Sequence, residues 1–289
     1  MFTRTRNAYQ TKLVDPSTEW TRLRLQILLG SAAVVVLALV IGGAWSVINM
    51  LTGSQPDEAS AASGSGTATS AQDQLANKQL PAAPVEAAQP GGDLSTGKTG
   101  TLQIPPPMKV GEVGVATGYP HTPQGALAQM AAIDSTALSS ASVKIAQDVI
   151  TSWAAPGGPT PESWSGVKGV ATLLGSAGLS ADAQNGITIG VEPKMGFVKG
   201  TVGSDFVVPC VDFIITVTLP GSQSQQVAAA DCQRMVWQND PNGSTDSTDS
   251  VGGRWVIGPG DEPAEAPSLW PGSQASFDAG YEWLEVPQS

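Results

Sequence analysis

Phe206-Val207-Val208-Pro209-Cys210-Val211-Asp212-Phe213-Ile214-Ile215-Thr216-Val217-Thr218-Leu219 is the stretch that decides the fold. Val211, Phe213, Ile215, Val217 and Leu219 fall on every second position, and a strand sets such residues on one face. A run this regular predicts a sheet with one strongly buried face. Around it, Ile187–Val191, Phe197–Val202, Gln225–Gln238 and Gly253–Ile257 read as further strands separated by turn residues.

Upstream the period changes to that of helices. Thr122-Pro123 offers a capping hydroxyl followed by proline at the first helical position, and Leu127, Met130, Ala131, Ala137 and Leu138 share one face. Ile145, Val149 and Trp153 make a second stripe, closed by Pro156-Gly157-Gly158-Pro159. Thr160-Pro161 repeats the start signal before a third stripe of Val167, Val170, Ala171 and Leu174. Helices first and antiparallel strands afterwards give an α+β class: three helices on one face of a curved, four- to five-stranded antiparallel sheet.

Cys210 and Cys232, the only cysteines, lie symmetrically about Gly221 in the turn Pro220-Gly221-Ser222. In a hairpin centred there they face each other, within bridging range. The alternative is two free, buried thiols on one sheet. A disulfide is the favoured reading if this part of the chain lies outside the cytoplasm, where such bonds persist.

That address comes from the other end of the chain. Arg4, Arg6, Lys12, Arg22 and Arg24 precede an uncharged run from Leu25 to Pro56. Its most apolar part, Leu28 to Leu51 with Trp45 near the outer end, would span roughly 36 Å as a helix, enough to cross a bilayer with some tilt. Basic residues on one side orient the anchor with its N-terminus in the cytoplasm. A cleaved signal peptide, with Ala59-Ser60-Ala61 as its site, is the competing reading, but the apolar run is too long for one. Ala38, Gly42 and Ser46 put small side chains on one face of the anchor, a minor route to a homo-oligomer.

The expected layout is a basic cytoplasmic tail (1–24), an anchor (25–51), a disordered Ala/Gly/Ser/Pro-rich linker (52–112), an extracytoplasmic domain (113–260) and an acidic tail (261–289). Net charge is -11, and everything acidic except Asp15 and Glu19 falls beyond the anchor. An outer domain so acidic argues against binding nucleic acid through its phosphates. In the tail Trp270, Phe277, Tyr281 and Trp283 stand among acids, which favours packing on the chain's own domain.

Signals for chemistry are few. His121 is the only histidine and sits just before a helix start, where a turn role outweighs a catalytic or metal one. Asp212 reads either as a buried acid in a pocket or, preferably, as exposed on the open sheet face. The oxygen-rich stretch Asn239–Asp249 fails the spacing of a calcium loop, and no phosphate, dinucleotide or nucleophile-elbow motif is present. No cofactor and no metal is expected.

The runs Gly118-Tyr119-Pro120-His121-Thr122-Pro123-Gln124-Gly125-Ala126, Trp153-Ala154-Ala155-Pro156-Gly157-Gly158-Pro159 and Arg254-Trp255-Val256-Ile257-Gly258-Pro259-Gly260 carry a resemblance. They resemble uncharacterised single-pass membrane proteins of actinobacteria encoded with conjugation or type IV secretion-like genes. The layout is also similar to inner-membrane assembly factors of type IV secretion systems, whose cone-shaped domain is like nuclear transport factor two. The resemblance implies a non-enzymatic scaffold whose partners are the lipid bilayer and other membrane or secretion-apparatus proteins. The alternative is an extracytoplasmic ligand-binding module, with a pocket between helices and sheet drawn from Trp153, Trp164, Trp237, Asp212 and His121.

Overall fold

The computed structural model describes residues 70–97, 100–181, 187–239 and 252–286. The basic tail and the anchor Leu28–Leu51, with Trp45, lie outside the described residues. Among the described residues no helix is long and apolar enough to cross a membrane.

Helix α1 spans Ala71–Ala76, α2 Pro123–Ser139, α3 Val143–Trp153, α4 Ser165–Ser176 and α5 Gln274–Asp278. The strands are β1 Thr101–Gln103, β2 Lys109–Val110, β3 Ala116–Thr117, β4 Thr188–Thr201, β5 Phe206–Thr218, β6 Gln225–Cys232, β7 Met235–Asn239, β8 Gly253–Ile257 and β9 Glu282–Glu285. Seven of them form one sheet in the order β1-β9-β4-β5-β7-β8, with β6 also beside β5. β1 pairs with β9 in parallel and the other pairs of this sheet are antiparallel. β2 and β3 make a separate hairpin.

This corrects the expected three helices on a four- to five-stranded antiparallel sheet: five helices and a mixed seven-stranded sheet are present among the described residues. The extra elements come from chain expected to be linker and tail. Part of that linker, residues 70–97 and 100–112, contributes α1, β1 and β2. Composition misleads there because a few apolar residues suffice when the groove already exists. Leu75, Leu80, Leu102 and Ile104 each pack onto a cluster formed by other elements.

β5 shows why both terminal segments are drawn in. Its odd positions Val207, Val211, Phe213, Ile215 and Val217 join the core under α2, α3 and α4. Its even positions Phe206, Val208 and Cys210 are equally buried on the other face. That face is covered by residues 70–97 and 259–286, which bring Ala76, Leu269, Phe277 and Tyr281 against it. The aromatic residues of the tail thus pack on their own domain. Each face of the sheet buries its own apolar row, and an apolar surface removed from water contributes about 25 cal/mol per Å².

The β5–β6 ladder runs in the expected register, with Cys210 opposite Cys232 and Val217 opposite Gln225. Cys210 and Cys232 form a disulfide, their Cα atoms 4.1 Å apart. Beyond it the expected strand 225–238 breaks at Gln233-Arg234, so that β7 meets the start of β5 instead. Conversely, the two strands expected at 187–202 are one, bent by irregularities between Pro193 and Met195 and between Val198 and Gly200.

Candidate functional site

Among the described residues the exposed large hydrophobics are Leu94 and Val286, each apart from the others, and three that fall together on the β2–β3 hairpin. Pro106 and Pro107 lead exposed into Met108, Val110 and Val113, whose exposures are 56%, 73% and 38%. Val113 has φ 53° and ψ 25°, a left-handed conformation that is costly for a β-branched side chain.

The tip is exposed but not loose. Gln129, buried on α2, accepts from the Thr117 hydroxyl at 2.7 Å and donates from Nε2 to the Ala116 carbonyl at 3.0 Å. Trp153, at the end of α3, donates from Nε1 to the Glu112 carbonyl at 3.1 Å. Gly111 lies so close to the Trp153 ring that a Cβ would come within 2.9 Å of it. Arg254 from β8 lies 4.8 Å over the same ring and donates to Glu112 Oε2 at 3.3 Å and to the Ser152 carbonyl at 3.4 Å. Three elements therefore fix the hairpin's base and leave its apolar side chains in water.

Next to it stands an aromatic cluster. His121 stacks on Trp237 with ring centroids 4.2 Å apart, and Trp255 meets both edge-on. Trp255 Nε1 donates to the Pro120 carbonyl at 2.9 Å, which fixes the approach to α2. His121 Nε2 is 2.9 Å from Asp205 Oδ1 and 3.1 Å from the Ser204 carbonyl. Both partners are acceptors, so Nε2 carries the proton. The Ser204 hydroxyl donates to Asp205 at 2.7 Å, not to the imidazole. Such a set can hold and orient a proton, but it aims no nucleophile at a base.

The residues expected to share a pocket are not brought together. His121 and Trp237 are in contact, while Trp153 sits under the hairpin and Trp164 is fully buried at the start of α4. Asp212 lies on the opposite face of the sheet from the helices and is fully buried, which overturns its expected exposure. The face read as open is closed by the C-terminal segment. Neither carboxyl oxygen of Asp212 has a hydrogen-bond partner of good geometry, and burial pushes its pKa well up, only partly offset by the Leu269 amide.

A second set of acids lies at the α2–α4 side. Burial, then the neighbouring Asp231 and Glu262, raise Asp134. Asp231 is pushed up to about 7 by burial and Glu262, against the hydrogen bond from Gln233. Glu262 accepts from the backbone N–H and the hydroxyl of Ser165, at 2.8 and 2.6 Å. Among the described residues no group of His, Cys, Asp and Glu is arranged to hold a metal. A surface depression of about 390 Å³, lined by Glu86, Asp93, Ser273 and Gln274 among others, lies away from all of these.

No family model, no curated protein and no solved structure matches this chain. What the structure adds to the sequence is a convergence. The runs beginning at Gly118, Trp153 and Arg254 meet at the hairpin's base through Trp255 to Pro120, Arg254 to Trp153, the Ala155 N–H to the Ile257 carbonyl, and the Gly260 N–H to the Gly157 carbonyl. Sequence reasoning missed the hairpin because the expected linker boundary at 112 cut it in two, leaving β2 in the linker and β3 in the domain. The alternation of Met108, Val110 and the Gly-flanked Glu112-Val113 was the available signal.

Proposed function

We propose that this chain is a non-enzymatic assembly component held at a cell membrane, working through docking surfaces of its outer domain. One observation carries the reading: three separate parts of the chain converge to brace a hairpin that leaves Met108 and Val110 more than half exposed and Val113 partly so. Ordering an apolar surface and leaving it in water is costly for a chain alone, and it is useful to one that docks. The resemblance of the same three runs supports placing the protein in a conjugative or type IV secretion-like apparatus. The ligand-pocket alternative gains no support from the packing, since Trp153 and Trp164 are completely enclosed by their neighbours.

Chemical crosslinking in intact cells, followed by mass spectrometry of the tagged chain, tests the proposal. The expected adducts are channel or ATPase subunits of such an apparatus. A deletion strain that transfers DNA normally, with no discrete protein adduct on the tagged chain, would overturn it.

A further inference from the structure

We infer that the β2–β3 end of the domain rests on the lipid bilayer itself, with Met108, Val110 and Val113 at the boundary of headgroups and acyl chains. The inference deepens the docking proposal and rests on the reading of Leu28–Leu51 as the anchor.

The first support is where the chain enters the domain. Ser70 caps α1, and α1 packs at the β4–β5 turn: Leu75 lies against Gly200, Asp73 pairs with Arg234, and Ala76 joins Phe206 and Val208. The same turn supplies Ser204 and Asp205 to His121, only four residues beyond the hairpin's last strand residue, Thr117. Chain arriving from the bilayer therefore reaches the end of the sheet that displays the hairpin.

The second support is reach. From Leu51 to Ser70 there are about 19 residues, which can span at most about 65 Å. A domain this closely tethered meets the surface continually.

The third is the chemistry of the tip. Its exposed large side chains are aliphatic or thioether, without the Trp, Tyr and Arg that dominate protein–protein hot spots. Lys109, exposed between Met108 and Val110, can lay its stem along the apolar surface and raise its ammonium to the phosphates. Glu112, the acid at the tip, is paired with Arg254. The acidic remainder of the domain should make the contact weaker on anionic than on zwitterionic lipid.

The test uses the full chain in phosphatidylcholine vesicles. An environment-sensitive fluorophore is placed on Val110→Cys and, in a second sample, on Ser222→Cys in the exposed turn at the far end of β5. The two native cysteines are joined to each other, so each variant has one reactive thiol. Spin-labelled lipid should quench the probe at 110 severalfold more than the probe at 222, with a blue-shifted emission only at 110. Equal, weak quenching at both sites in protein that floats with the vesicles would overturn the bilayer contact and leave the anchor standing. A blue-shifted probe at 110 that spin-labelled lipid does not quench would also overturn it, in favour of a protein contact. Full chain that fails to float with vesicles would remove the anchor, and this inference with it.

Discussion

Val113 is the residue where structure and stability disagree most openly. Its φ of 53° carries a cost of order 1–2 kcal/mol for a non-glycine residue, while glycine would lose about 0.5–1 kcal/mol in chain entropy. Val113→Gly should therefore leave the domain equally stable or raise its denaturation midpoint slightly, while weakening whatever the tip docks on. Equilibrium unfolding in urea reads the first effect, and a marked loss of stability would show that the Val113 side chain serves the fold instead. Gln129 is the converse case. Gln129→Leu strands the Thr117 hydroxyl and the Ala116 carbonyl, and an unmatched buried polar group costs about 1–3 kcal/mol. The same unfolding measurement should register a drop of that order, and a near-neutral result would mean the hairpin is not held through Gln129. Neither role was legible beforehand, since a glutamine inside an apolar helix stripe looks like an exposed position until its partner strand is known.

At the scale of elements, local signals were read well where nothing distant competed. Thr122-Pro123 starts α2 as expected, with the Thr122 hydroxyl accepting from the Gly125 N–H at 3.1 Å. The register about Gly221 likewise followed from the positions of Cys210 and Cys232. Thr160-Pro161 failed as a start signal because a partner from far along the chain supplies the cap four residues later. α4 begins at Ser165, its N-cap residue Trp164 offers no side-chain acceptor, and the Glu262 carboxylate accepts from the Ser165 N–H instead. Glu262→Ala should cost about 1 kcal/mol, the usual loss of a helix cap, and hydrogen exchange should rise first in the opening turn of α4. Unchanged exchange there would mean that Glu262 is not the cap. The strands β1 and β9 were hidden for a related reason: three or four residues have too little period to be seen, and pairing with a finished sheet supplies the rest.

At the scale of the whole molecule, acids buried on both sides of the sheet make an acid-stabilised protein. Asp134, Asp212, Asp231 and Glu265 all have folded pKa values raised above their ordinary ones, in each case chiefly by burial. Between its unfolded and folded values such a group is protonated in the native chain and ionised in the unfolded one, so stability falls as pH rises. For Asp231 that window runs from 3.8 to about 7. Lys199, lowered from 10.5 to about 8 by burial and by Lys78, acts in the next window with the opposite slope. There the native chain holds fewer protons than the unfolded one, and stability recovers as pH rises. The Asp231 contribution declines from about pH 4 to about 7, at up to about 1.4 kcal/mol per pH unit, and the Lys199 contribution rises above about 8. Asp73, which accepts from the Ser70 hydroxyl and pairs with Arg234, has a lowered pKa, and the stability it contributes is lost as pH falls below the Asp231 window. Asp212→Asn isolates one contribution, because the amide keeps the shape and never ionises. Its denaturation midpoint, compared with that of the unaltered chain at a series of pH values, should gain as pH rises above the ordinary carboxylate range. Parallel curves would mean that Asp212 is not neutral in the folded protein, and that the C-terminal segment over it admits enough water to hold a charge.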